Sequence, residues 1–192
     1  MPELDRLRNR VVDRRCGCPY VRAPPMSLAA APSPPPLVAE RLKDADAVER
    51  LILAGFGPGR FVKAAERLRE GRTPLLELSF VAWDRGRIVG CVRQWGVSVG
   101  GAPAIMLGPF AVEPAYQSHG LGAALIERAC DAAADAGHGL IVLVGDPPYF
   151  GPLGFVAAPK VVMPGPVDPR RVLIRPLRPS ADAGIGGLVA AA

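Results

Sequence analysis

No part of the sequence limits the possible folds as tightly as YQSHGLGAALIERACDAAADAG, residues 116–137. From Gly120 onward the apolar residues Leu121, Ala124, Leu125, Ala129, Ala132, Ala133 and Ala136 recur at helical spacing, with Glu127, Arg128, Asp131 and Asp135 on the opposite face. That pattern is an amphipathic helix, stopped by Gly137. Residues 106–112 before it and LIVLVGD after it read as strands, so the order is strand, loop, helix, strand, a crossover unit. The helix opens at Gly120-Leu121-Gly122. Glycine at 120 and 122 removes side chains where an anion would approach the exposed N–H groups of a first turn, and no acidic residue there repels one. The same glycines would also serve a tight turn that binds nothing.

The flanking sequence supplies the rest of a domain. RLKDADAVERLILAGF reads as a helix with Asp44 as N-cap, Ala47, Val48, Leu51 and Ile52 on one face, and Gly55 closing it. GPGRFVKAAERLREG offers a second short helix with Gly71 beyond its end. Two runs rich in Val, Ile, Phe and Trp flank Asp84-Arg85-Gly86-Arg87 and predict a hairpin, with Glu77 on the earlier strand. Gly108-Pro109 interrupts the next strand, and because proline cannot donate to a ladder, a bulge or an unpaired edge is expected there. PPYFGPLGF reads as a turn or brief helix leading into another strand, RRVLIRPL as a further strand, and AGIGGLVAAA as a frayed end.

At 49% hydrophobic and 21% charged residues, the chain suits one soluble domain, and no apolar run approaches the length that spans a membrane. A cytoplasmic protein is the default expectation. The net charge of +5 is concentrated in residues 1–22, where six arginines outnumber three acidic residues. Without an aromatic-interleaved basic stripe, nucleic acid is not the expected partner. Residues 1–36 read as a basic, proline-rich extension, with Met26 a second candidate start; the domain runs over 37–178 and a tail over 179–192. Cys16 and Cys18 stand too close for the usual zinc spacing, and Cys91 and Cys130 lie in apolar patterns, so no metal is expected.

Known phosphate motifs discriminate further. Walker A requires Lys-Ser/Thr after its last glycine, and Ala123-Ala124 stands there; the dinucleotide fingerprint requires Gly or Ala where Leu125 stands. Gln117-Ser118-His119-Gly120-Leu121-Gly122, with LGPFAVEPAYQ before it and LIVLVGDPPYFGPLGF after it, instead resembles the Gln/Arg-x-x-Gly-x-Gly/Ala signature of the GNAT N-acetyltransferase superfamily. The resemblance covers residues 37–160 and continues loosely to 178; it is nearest to small bacterial members with GDPxYYxxxGF after the fifth strand. It implies an α/β (α+β) fold with a mixed, mostly antiparallel sheet flanked by helices.

It also implies acetyl-CoA as co-substrate and an amine acceptor, small molecule or protein, in a monomer or homodimer. Gln117, Ser118, His119, Gly120, Leu121, Gly122 and Ala123 would cradle the pyrophosphate, and the pantetheine arm would lie along Phe110, Ala111 and Val112 beside Phe150. The chemistry asks for a base toward the amine, a backbone N–H for the oxyanion, and an acid for the departing thiolate. The family's usual tyrosine before the final Gly-Phe is here Phe150, preceded by Tyr149. Tyr149 is the candidate acid, or else a packing residue, and Glu113 is the candidate base ahead of Glu77 and Asp146. His119 is assigned to phosphate or solvent and His138 to the helix end. Cys130 has no activating histidine, so direct transfer is expected over an acyl-enzyme. Two alternatives remain: an acyl-CoA-binding sensor or interaction module with weak or no transfer, favoured by Phe150, and a nucleic-acid binder using the basic extension.

Overall fold

The computed structural model describes residues 34–59 and 64–192. The expectations for the basic extension, Cys16, Cys18 and Met26 lie outside those residues. Nine strands form a mixed sheet: β1 (Leu37–Ala39), β2 (Phe80–Asp84), β3 (Arg87–Val99), β4 (Ala102–Val112), β5 (Leu140–Val144), β6 (Val156–Ala157), β7 (Val161–Val162), β8 (Val172–Pro176) and β9 (Gly187–Ala191). The main order is β1-β2-β3-β4-β5-β8-β6, antiparallel except where β5 runs parallel to β4. The helices are α1 (Ala45–Phe56), α2 (Leu121–Asp135) and the single turn α3 (Pro147–Phe150).

Local chemistry accounts for most boundaries. Arg85 and Gly86 both take positive φ, 48° and 79°, which suits the two-residue connection of the β2–β3 hairpin. In the β3–β4 ladder Val92 faces Phe110 and Gln94 faces Leu107, so Arg93 alone lies opposite Gly108 and Pro109. This is the bulge the proline requires. α2 opens on Gly120 in the left-handed region, and Gly137 at φ 86° follows its last turn.

The buried stripe of α2 (Leu121, Leu125, Ile126, Ala129, Cys130 and Ala133) packs on one face of the sheet against Val89, Ile105, Ile141 and Leu143. Helix and sheet approach closely at Gly90, where a Cβ would stand 2.8 Å from Leu125 Cδ1. Buried Gln94 ties the two layers together by donating from Nε2 to the Ala129 carbonyl at 2.6 Å. On the opposite face α1 covers Val81, Ile88, Cys91 and Ala111 through Val48 and Ile52. Trp95, Met106, Val142 and Ile174 form a further cluster there with Ala64 and Leu68.

Three expectations are corrected. α1 runs to Phe56 and closes on Gly57 at φ 65°, because Gly55 still holds helical geometry. Glu77 lies exposed in a 3-10 turn at Leu76–Leu78 rather than on a strand. The C-terminal segment does not fray: β9 pairs antiparallel with the half of β3 that β2 leaves uncovered, and Val189 is fully buried. Burying Val189 beside Val97 and Val99 offsets the entropy of ordering a terminal segment.

Candidate functional site

The sheet opens beside α2. β5 pairs with β4 only at Ile105–Ile141 and Met106–Val142; beyond these the two strands part, as the Gly108-Pro109 interruption allows. The gap becomes a cavity of about 840 Å³. Phe110, Ala111 and Val112 line one side, Leu143 to Asp146 the other, and Gln117, Ser118, Gly120, Gly122 and Ala123 close one end. Nine of the eleven expected coenzyme-contact residues therefore share one cavity: Phe110, Ala111, Val112, Gln117, Ser118, Gly120, Gly122, Ala123 and Phe150. His119 and Leu121 do not line it. His119 is exposed, with Nδ1 2.6 Å from the Gln117 carbonyl, and Leu121 points into the core beneath α2.

The helix opening leaves its first amides uncapped. Gly120 has φ 81°, Ser118 φ 63°, no side chain caps the helix, and its first turn holds no acidic residue. The first-turn N–H groups thus lack intrahelical partners and lie under small residues. A Cβ at Gly122 would stand 2.5 Å from Tyr149 Oη and 2.9 Å from Phe110 Cζ, so this position admits no side chain without displacing both rings. Space kept clear at a helix N-terminus, continuous with a long cavity along a strand edge, fits a diphosphate bearing an extended arm.

The aromatic residues settle which way each neighbour faces. Tyr149 is 44% exposed and stacks on Phe110 with centroids 6.2 Å apart. Phe150 turns into the core and meets Phe155 edge-on at 5.6 Å. Burial pushes the Tyr149 phenol above its ordinary pKa, so it carries its proton at neutral pH. Asp146 also lines the cavity and pairs with Arg171 at 3.1 Å.

Glu113 sits elsewhere. It lies outside the cavity lining, bound to Arg87, while Tyr116 donates to Asp84 in the same surface group. Cys91 and Cys130 are buried, and burial pushes both thiols up to about 12. Among the described residues no three His, Cys, Asp or Glu side chains are placed to hold a metal, and no helix is long and apolar enough to cross a membrane.

Linear reading missed a second set of residues. Arg69 lies above the bulge, with Nη2 3.3 Å from where a Gly108 Cβ would stand. Beside it Arg93, 5% exposed, binds both carboxylate oxygens of buried Glu40 at 3.0 and 2.9 Å and reaches Glu49 at 2.8 Å. An arginine in the middle of an otherwise apolar strand was the available signal, since such a charge needs buried partners.

The sequence matches the acetyltransferase (GNAT) domain family over residues 76–157. The fold is similar to that of the GNAT family N-acetyltransferase YhbS from Escherichia coli in complex with CoA. The TM-score is 0.72 at 26% identity, over 83% of this chain and 90% of that one. The chain has the GNAT acetyltransferase fold. A GNAT family acetyltransferase from Brucella melitensis in complex with acetyl-CoA is also similar, with TM-score 0.55 and 29% identity over 72% of this chain and 93% of that one. A GNAT acetyltransferase from Staphylococcus aureus, at 13% identity and TM-score 0.52 over 74% and 99% of the two chains, shares the GNAT fold alone. No curated protein matches the sequence.

Proposed function

We propose that this GNAT protein moves the acetyl group of acetyl-CoA directly onto an amine. One observation carries the reading: the uncapped, glycine-lined opening of α2 ends the cavity that runs between β4 and β5. Acetyl-CoA supplies an acyl carbon bonded to sulfur. In the transfer that carbon–sulfur bond breaks and a carbon–nitrogen bond forms; the amine gives up a proton, the departing sulfur takes one, and CoA leaves as a thiol.

The chain's own groups divide the work. Backbone N–H groups from Gly120 to Ala123 hold the diphosphate, and the strand at Phe110–Val112 aligns the arm. Tyr149, protonated and half-exposed at the cavity, stands where a proton can be delivered, whereas Phe150 in the family's tyrosine position lines the same cavity with a largely buried ring set edge-on against Phe155. Proton removal falls to water along the open cleft, because Glu113 is held by Arg87 away from it. A buried thiol with its pKa near 12 is no nucleophile at neutral pH, so Cys130 takes no acetyl group.

A second reading rests on the buried Phe150: coenzyme binding without efficient transfer, as a sensor or interaction module. Calorimetric titration with acetyl-CoA, paired with thiol release across a panel of amines, separates the two. Binding with thiol release supports the transferase. Binding alone supports the sensor, and no binding overturns both.

A further inference from the structure

The coenzyme cavity is held unequally at its two ends. At Arg69 and Pro109 it adjoins a smaller cavity of about 340 Å³ beside α1. Side chains brace that end from distant parts of the chain. Arg93 is forked onto Glu40 and reaches Glu49, and Arg72 donates to the carbonyls of Leu68 at 3.1 Å and Gly96 at 2.9 Å. The other end, at the opening of α2, is carried by residues 114–120: a 3-10 turn at Pro114–Tyr116, then four exposed turn residues.

Most hydrogen bonds of that segment are local. The Tyr116 N–H donates to the Glu113 carbonyl at 2.9 Å, the Gln117 N–H to that of Pro114 at 3.2 Å, and Gln117 Nε2 to that of Val112 at 2.9 Å. Among the described residues a single hydrogen bond from the segment reaches a distant part of the chain: Tyr116 Oη donates to Asp84 Oδ2. Asp84 ends β2 at the hairpin turn. Arg87, the first residue of β3, lies over the Tyr116 ring with 5.8 Å to its centroid and also pairs with Glu113. The hairpin thus grips Tyr116 by its hydroxyl and by its face. Directly after this grip comes Ser118, whose φ of 63° few non-glycine residues adopt without support from their surroundings.

We propose that the β2–β3 hairpin positions the coenzyme loop: the hydrogen bond from Tyr116 to Asp84 fixes the 117–120 turn and so aims the N–H groups of Gly120 to Ala123 at the diphosphate. The inference rests on the coenzyme-binding part of the transferase reading. Neither Tyr116 nor Asp84 lines the cavity, so both are positioning residues. An amide cradle held ready binds more tightly than one ordered only when the ligand arrives, because ordering the loop costs conformational entropy. A phenol donating to a carboxylate is one of the stronger hydrogen bonds for this purpose. Glu113 is dispensable by comparison, since without it Arg87 still covers the Tyr116 ring.

Acetyl-CoA is titrated calorimetrically into the full natural chain and into Tyr116→Phe, Asp84→Ala, Asp84→Asn and the Tyr116→Phe/Asp84→Ala pair, each shown folded by circular dichroism. Tyr116→Phe keeps the ring under Arg87 and removes only the hydroxyl. It and Asp84→Ala are each expected to weaken binding about ten-fold, or about 1.4 kcal/mol. The pair should lose no more than either alone, because all three proteins lack the same bond. Asp84→Asn still offers the phenol an acceptor and should bind within about three-fold of the natural chain. Amide hydrogen exchange without ligand should quicken over residues 117–123 in Tyr116→Phe and stay unchanged in the rest of α2. A Tyr116→Phe affinity within about two-fold of the natural one, additive losses in the pair, Asp84→Asn as weak as Asp84→Ala, or unchanged exchange over 117–123 overturns the proposal. Failure of the natural chain itself to bind acetyl-CoA would overturn the coenzyme reading, and the proposal with it.

Discussion

The two cavities that meet at Arg69 and Pro109 differ in how densely their walls are charged. The larger one is lined mainly by glycine, alanine, aliphatic and aromatic residues, with Arg69, Asp146, Asp168 and Arg171 among them, and its proposed coenzyme contacts are the N–H groups at the start of α2. The smaller carries four glutamates and three arginines among its lining residues, drawn from four separate parts of the chain. The first should respond to added bulk and be nearly indifferent to charge substitutions around it. The second should respond to charge, through stability.

The largest expected effect falls on the charged side. Arg93→Ala leaves buried Glu40 without its partner, which costs about 3–5 kcal/mol by the general behaviour of broken buried pairs. Denaturant unfolding checks this. Replacing both residues together, Arg93→Met with Glu40→Leu, should recover most of the loss; a double variant as unstable as the single one would break the contrast drawn here. On the coenzyme side, Tyr149→Phe keeps the ring on Phe110 and removes only the hydroxyl, so kcat should fall by about 100-fold, the lower range for a positioned acid, with KM for acetyl-CoA little changed. Adding Phe150→Tyr to that variant should not restore the rate, since the ring at 150, although it lines the cavity, is largely buried against Phe155. An unchanged kcat would reassign Tyr149 to packing. The smallest effect is expected at Glu113→Gln. Its pairing with Arg87 is at the surface, outside the cavity lining, and kcat/KM should stay within about two-fold, as for exposed ion pairs.

The same contrast explains what could be read in advance. The helix opening, the crossover from β4 through α2 to β5 and the bulge at Gly108-Pro109 each depend on residues adjacent in sequence, whose backbone demands are written in glycine and proline. The acidic cavity has no such local mark. Glu40, Glu49, Glu66, Glu70 and Arg93 are brought together only when α1 and the 64–68 turn fold over the sheet. Tyr149 and Phe150 show the same limit in miniature: the sequence names both rings, but only the turn at 147–150 decides that the first is half-exposed at the cavity and the second largely buried in its wall. The C-terminal strand was illegible for a further reason. AGIGGLVAAA has little strand character by itself, and its order comes from the uncovered half of β3.

The central claim is that clear space over the first-turn amides of α2 admits the coenzyme. Calorimetric titration of acetyl-CoA into the natural protein and into Gly122→Val tests it most directly, with circular dichroism and melting confirming that both are folded. The valine side chain would enter the space beside Tyr149 Oη and Phe110 Cζ. Affinity is expected to fall by at least about 100-fold, or about 2.7 kcal/mol. A folded Gly122→Val protein that binds acetyl-CoA within two-fold of the natural one would contradict the account.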